Sequence, residues 1–142
     1  MKEMTRKECL AFLLAKPRTA KVATVRGSGR PHVAPVWFTM DGEDLIFTTW
    51  HTSLKTKNLD QYPWVSICVD DDQPPFAFVK LDGTAALSND PNALRRWATL
   101  IAGRYMGAAE AEAYGKRNSV KGELLVRIKI SSIMGRDDVA GW

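Results

Sequence analysis

Apolar and polar positions alternate along most of this chain, and helical spacing interrupts the alternation at four places. The first interruption is near the N-terminus, where Leu10, Leu13 and Leu14 recur on one helical face. Thr5-Arg6-Lys7-Glu8 ahead of them has the form of a capping box, with Thr5 accepting from the N–H of Glu8 and Glu8 reaching back. Met4 and Cys9 stand where a hydrophobic staple packs, and Pro17 stops the helix, which is expected to lie as a lid on a sheet. Residues 19–26 read as a strand with two fairly apolar faces, Ala20, Val22 and Thr24 on one and Ala23 and Val25 on the other. Gly27-Ser28-Gly29 turns the chain into a partner strand over residues 31–40. His32, Ala34, Val36 and Phe38 share one face of that partner, and Val33, Pro35 and Trp37 the other. Pro35 has no N–H to give a ladder, so this strand belongs at an edge or is bulged. Asp41-Gly42 is a strong hairpin signal, and residues 44–49 complete a meander.

Helical spacing returns over residues 53–61, with Leu54 and Leu59 inward, and ends before Pro63. Val65, Ile67 and Val69 alternate in a strand over 64–70. The following Asp70-Asp71-Asp72-Gln73-Pro74-Pro75 reads as a solvated turn, because no further carboxylate or histidine lies near enough in sequence to complete a metal site. Residues 76–88 read as one long strand bulged at Asp82-Gly83, since a hairpin there would leave two very short arms. Asp90-Pro91 caps and starts a helix with Leu94, Trp97, Ala98 and Ile101 on one face, and Gly107 ends it. An alanine-rich helix covers residues 108–116, and a last strand over 123–134 turns Leu124, Val126, Ile128 and Ile130 inward. Six strands in meander-rich order with helices inserted predict a small antiparallel barrel of the α+β class, a single domain over residues 1–142.

Composition narrows the function classes. At 45% hydrophobic and 25% charged residues the chain is an ordinary globular one. Its net charge of +4 is spread along the chain, which does not make a nucleic-acid arm but favours an anionic small ligand. Cys9 and Cys68 form no CxxC and no metal spacing, and are expected as reduced thiols of a cytoplasmic protein. The short apolar run from Cys9 to Ala15 lacks a signal-peptide layout, and no run is long enough to span a bilayer.

There are two histidines, His32 and His51, no GxSxG elbow, no GxGxxG after the first strand and no Walker loop. Nucleophilic triads, classical dinucleotide sites and triphosphate sites are therefore not expected, and no ligand set for zinc is grouped. The informative stretch is Phe47 to Leu59, where an apolar strand ends in Thr48-Thr49, crosses a short polar loop and enters a helix. Ser53 can cap that helix, while Lys55 and Lys57 put two cations in its first turns, against the helix dipole. An anion such as a phosphate at the helix mouth accounts for them, although a solvated basic helix start fits the same pattern. Trp37, Trp50 and Phe76 offer apolar walls if they are not simply core, and Pro35-Val36-Trp37 offers irregularly paired backbone for a flat ring. A redox ring with a phosphorylated tail suits this set, the cofactor supplying the chemistry and the protein the orientation.

Ala20-Lys21-Val22-Ala23-Thr24-Val25, Gly29-Arg30-Pro31-His32-Val33-Ala34-Pro35-Val36-Trp37-Phe38, Phe47-Thr48-Thr49 with Ser53-Leu54-Lys55-Thr56-Lys57-Asn58-Leu59, and Asp82-Gly83-Thr84-Ala85 carry a resemblance. The sequence resembles the pyridoxamine 5′-phosphate oxidase-like split β-barrel proteins, and among them the flavin/deazaflavin oxidoreductases. The resemblance implies a six-stranded split barrel forming a homodimer, with cofactor sites between subunits that take FMN or the deazaflavin coenzyme F-420. It implies phosphate contacts from Ser53, Lys55 and Lys57 beside Thr48, Thr49 and Asn58, a ring lined by Pro35, Val36 and Trp37, and Phe76 near the ring or substrate. Some members carry arginine where Ser53 stands, and the additional arginines and C-terminal motif of the pyridoxamine phosphate oxidases proper are missing here. The Ser-x-Lys-x-Lys-Asn-Leu form and the short chain favour the deazaflavin branch, with hydride transfer to a conjugated small molecule; FMN is the alternative cofactor.

Overall fold

The structure, a computed structural model, describes residues 2–141; Met1 and Trp142 of the expected domain lie outside the described residues. In chain order the elements are α1 (Arg6–Ala15), β1 (Ala20–Val25), β2 (Pro31–Val36), β3 (Thr39–Asp41), β4 (Asp44–Trp50), α2 (Leu54–Gln61), β5 (Trp64–Asp70), β6 (Phe78–Ser88), α3 (Pro91–Met106), α4 (Ala108–Arg117) and β7 (Glu123–Arg136). The strands form one antiparallel sheet in the order β2-β1-β5-β6-β7-β4-β3.

The expected six-stranded barrel is corrected in two respects. Among the described residues there are seven strands, because the segment over residues 31–40 breaks into β2 and β3, and the sheet is open, with β2 and β3 at its two edges. Only Trp37 and Phe38 join those edges, a reach of roughly 10 Å at most. The sheet must therefore curl until its edges approach one another. The ladder does not close across them, because the backbone of Phe38 bonds elsewhere. Its N–H donates to Tyr105 Oη (3.2 Å) and its carbonyl accepts from Arg104 Nη1 (2.7 Å).

Arg104 acts as a clip at this seam. Its Nη2 also donates to the carbonyls of Leu13 (2.6 Å) and Lys16 (2.8 Å), and its guanidinium lies 4.6 Å from the centre of the Phe38 ring. Tyr105 Oη donates to the Arg18 carbonyl at 2.7 Å. One turn of α3 thus holds the end of α1 and the β2–β3 break together.

The main core lies inside the curl. Phe38, Leu45, Phe47, Ile67, Leu81, Val126 and Ile128 are fully buried there, and Cys9 and Leu13 of α1 cover them. The capping box forms as expected, with Glu8 N–H donating to Thr5 Oγ1 (3.2 Å) and Thr5 N–H to Glu8 Oε1 (3.1 Å). Leu14, read as part of the inward face, is half-exposed, since the helix meets the sheet along a narrower stripe. On the other face of β4, Ile46 joins Leu94, Trp97 and Ile101 of α3 and Leu125 of β7 in a second cluster. Leu125, not Leu124, is therefore the buried leucine at the start of β7, because α3 covers the face opposite Val126. The bulge falls at Asp82/Gly83 as expected, and a Cβ at Gly83 would run into the Lys129 carbonyl and the Ile128 side chain.

Candidate functional site

The C-terminal end of β4 runs directly into the start of α2, and hydroxyl groups tie the two together. Ser53 caps α2, its Oγ accepting from the Thr56 N–H at 3.3 Å. The same Oγ lies 2.9 Å from Thr49 Oγ1 and 3.0 Å from Thr56 Oγ1, and Thr56 Oγ1 donates to the Trp50 carbonyl at 2.9 Å. No acidic residue stands in the first turn of α2, so the partial positive charge of its unpaired N–H groups is not offset. Lys55, a half-buried residue, adds a cation there and pairs with no carboxylate among the described residues.

The facing wall is the end of β2 and the seam. As an edge strand, β2 leaves alternate backbone groups without a ladder partner. Trp37 is held in place by α3 and α4. Its ring stacks on Tyr105 with centroids 5.1 Å apart and planes 4° from parallel, and meets Tyr114 at 6.3 Å. Between the walls lies a cleft of about 330 Å³ that brings together Pro35, Val36, Trp37, Thr48, Thr49, Ser53 and Lys55, seven of the ten residues the sequence nominated.

The other three lie elsewhere. Successive helix residues are about 100° apart, so Lys57 points away from Lys55 and is exposed outside the cleft. Asn58 is buried on the sheet side, donating Nδ2–H to Thr24 Oγ1 at 2.9 Å, and so pins α2 to β1. Phe76 sits in the turn before β6 with φ +63°, beside Cys68, Asp72 and Phe78 in a different hollow of the same chain. Leu54, expected inward, is exposed as well, leaving Leu59 as the core contact of the helix. The Asp70–Pro75 turn is exposed from Asp72 onward as expected, while Asp71 accepts from Arg18 (3.0 Å) and Asp70 pairs with Lys21 (2.7 Å).

The cleft also recruits residues that sequence reasoning did not nominate: Asn118 from the loop after α4, Glu123 at the start of β7, and Ala98 and Ile101. The last two were legible only as an inward helix face. Glu123 pairs with Trp50 across β4 and β7, and a lone acid ahead of an apolar strand gave no pattern to detect. Burial raises the Glu123 carboxyl above its ordinary value, and the charge of His51 pulls it partly back. A carboxyl whose folded value is raised contributes stability below its unfolded value and loses it as pH climbs through the folded one. Glu123→Gln is therefore expected to raise the unfolding temperature relative to wild type more at pH 8 than at pH 4; a pH-independent difference would show that the carboxyl is not burdened by burial.

Two further basic groups, one of them a histidine near Lys55, carry unpartnered buried atoms. His32 Nδ1 and Arg26 Nε are buried with no hydrogen-bond partner among the described residues. Burial lowers the His32 pKa, and the positive charges of Arg26 and Lys55 lower it further. These three basic groups bear on one another without a carboxylate between them, an arrangement that an anion would relieve.

Residues 5–134 match the sequence profile of the family described as pyridoxamine 5′-phosphate oxidase. The chain belongs to that family. The motif resemblance is thereby confirmed over nearly the whole chain. No curated protein sequence matches the chain. Among solved structures, this pyridoxamine 5′-phosphate oxidase family member is similar to a conserved hypothetical protein from Mycobacterium tuberculosis, with 26% identity, a TM-score of 0.83, and coverage of 94% of this chain and 85% of that one. It is also similar to an F420 reductase, with 25% identity, a TM-score of 0.68, and coverage of 87% and 94%. A heme storage protein from Vibrio cholerae shares the fold at 17% identity, with a TM-score of 0.73 and coverage of 97% and 100%. Among the described residues, no helix is long and apolar enough to cross a membrane.

Proposed function

We propose that this protein is an oxidoreductase that binds the deazaflavin coenzyme F-420 in the cleft between α2 and the end of β2 and reduces a conjugated small molecule. The observation that carries this reading is the meeting, in one cleft, of an acid-free helix start bearing a Lys55 that pairs with no carboxylate among the described residues with the backbone edge at Pro35-Val36-Trp37. His32, whose Nδ1 is buried without a partner among the described residues, is close enough to Lys55 to feel its charge, and so adds to the basic character of that side. The similarity to an F420 reductase at 25% identity supports the choice of deazaflavin.

In this reading Lys55 and the first N–H groups of α2 hold the phosphate, while Thr48, Thr49 and Ser53 offer hydroxyls beside it. The Trp37 indole, fixed by Tyr105, orients the ring, and edge groups of β2 bond its polar rim. When bound, the coenzyme supplies a hydride to an electrophilic carbon. The chain's own part is to bind, orient and exclude water, in keeping with a cleft that holds one carboxyl and no obvious nucleophile.

FMN is the second reading, favoured by the family match over residues 5–134 and by the like demands of its phosphate and flat ring. Titrating each cofactor into the purified protein, followed by fluorescence, separates the two. Saturable binding of the deazaflavin with weak FMN uptake is the expected result, and binding of neither removes the proposal.

We further propose a homodimer through the outer face of β2, β1 and β5. Val33 and Trp64 are 64% and 62% exposed there, with Val25 and Pro31 beside Trp64, an unusual apolar surface to leave in water. Val33→Asp combined with Trp64→Glu is expected to convert the dimer to a folded monomer in light scattering. A wild-type protein that is monomeric at micromolar concentration would overturn this assembly.

A further inference from the structure

Behind Trp50 the cleft adjoins a second and larger cavity of about 760 Å³, which shares Trp50 and Glu123 with it as lining residues. The shared wall is built rather than incidental. Trp50 packs on Gly122, whose φ of +105° disfavours any side chain and where a Cβ would run into the indole. His51 braces the same place, its backbone N–H donating to the Gly122 carbonyl at 2.8 Å and its Nδ1 lying 3.0 Å from that oxygen. Leu94, Val120 and Leu124 make the cavity's far walls apolar, while Lys121 and Ser119 bring donors to it. The volume lies within the roughly 300–1,000 Å³ of small-molecule sites, and the mixture of apolar walls with a few polar groups is typical of them.

We propose that this second cavity is the substrate chamber of the same site, and that it takes a flat apolar molecule carrying an anionic group directed at Lys121. The proposal rests on reading the adjoining cleft as the cofactor site, since a substrate must reach that cleft and the wall at Trp50 and Glu123 is where the two spaces meet. The anionic group is assigned from charge: Lys121 and His51 line the cavity, and its one acid, Glu123, stands at the shared wall, where burial disfavours its charged form.

The test uses 1-anilinonaphthalene-8-sulfonate, an apolar aromatic anion, and its uncharged relative N-phenyl-1-naphthylamine, each titrated by fluorescence with and without saturating cofactor. The sulfonate is expected to bind the more tightly of the two and to stay bound when cofactor is added. Val120 is 49% exposed, so Val120→Trp fills the cavity from its surface side and is expected to weaken both probes at least tenfold without altering cofactor affinity. Lys121→Ala is expected to abolish the preference for the anion alone. Unchanged probe binding in Val120→Trp, or displacement of the probe by cofactor, overturns the chamber. Unchanged preference in Lys121→Ala overturns its charge assignment. If neither cofactor binds while the probes still respond to both substitutions, the cofactor reading has failed and the cavity stands as a ligand site of its own.

Discussion

Lys55→Ala is expected to weaken cofactor binding by about ten- to a hundredfold while leaving the fold intact. A hydrogen bond to a charged group contributes about 1.5–3 kcal/mol, and about 1.4 kcal/mol corresponds to a factor of ten. Among the described residues no carboxylate partners Lys55, and the helix start it serves carries no acid, so its ammonium is free for the phosphate. The same isolation protects stability. A cation near a helix N-terminus opposes the dipole, so its removal is neutral or stabilising by about 0.3–1 kcal/mol. Lys57→Ala is the matched control: its side chain points away from the cleft, and it should bind cofactor as wild type does. Fluorescence titrations of both variants, with thermal melts alongside, decide the matter. Equal affinities for Lys55→Ala and wild type would place the phosphate elsewhere.

The second large effect is on the seam. Arg104→Ala is expected to destabilise the protein by about 2–4 kcal/mol in denaturant unfolding, because it leaves three carbonyls without their charged donor, those of Leu13, Lys16 and Phe38. Burial lowers the Arg104 pKa, and Tyr105 partly offsets that. Arg104→Lys should restore only part of the loss, since a single ammonium cannot reach the three acceptors in the planar geometry of a guanidinium. The effect should extend to binding, because Tyr105 on the next position of α3 stacks on Trp37. Wild-type stability in Arg104→Ala would mean that the core alone holds the two sheet edges together.

Much of the architecture was legible because it is local. The Thr5–Glu8 capping box, the Ser53 cap, the bulge at Asp82-Gly83 and the buried face of α3 each declare themselves within a dozen residues, through side-chain spacing that the backbone geometry fixes. Pro35 likewise announced an edge, since a missing N–H is a chemical fact independent of what surrounds it. Leu14 and Leu54 were misread for the complementary reason: periodicity gives the direction of an apolar face but not how wide a stripe the partner covers.

The sequence alone determined most of the elements, the family, and Ser53 with Lys55 at the start of α2, since each depends on neighbours in the chain. Only the tertiary structure decided that residues 31–40 are two strands on opposite edges, because the break is held by Arg104 and Tyr105, whose bonds to Phe38 span 66 and 67 positions. It alone separated Lys55 from Lys57 and Asn58, and set Trp50 and Glu123 across from each other on a shared wall. Contacts between distant segments are chosen by packing and leave no period in the chain, so a lone Glu123 could be seen as part of a site only once the sheet had curled around it.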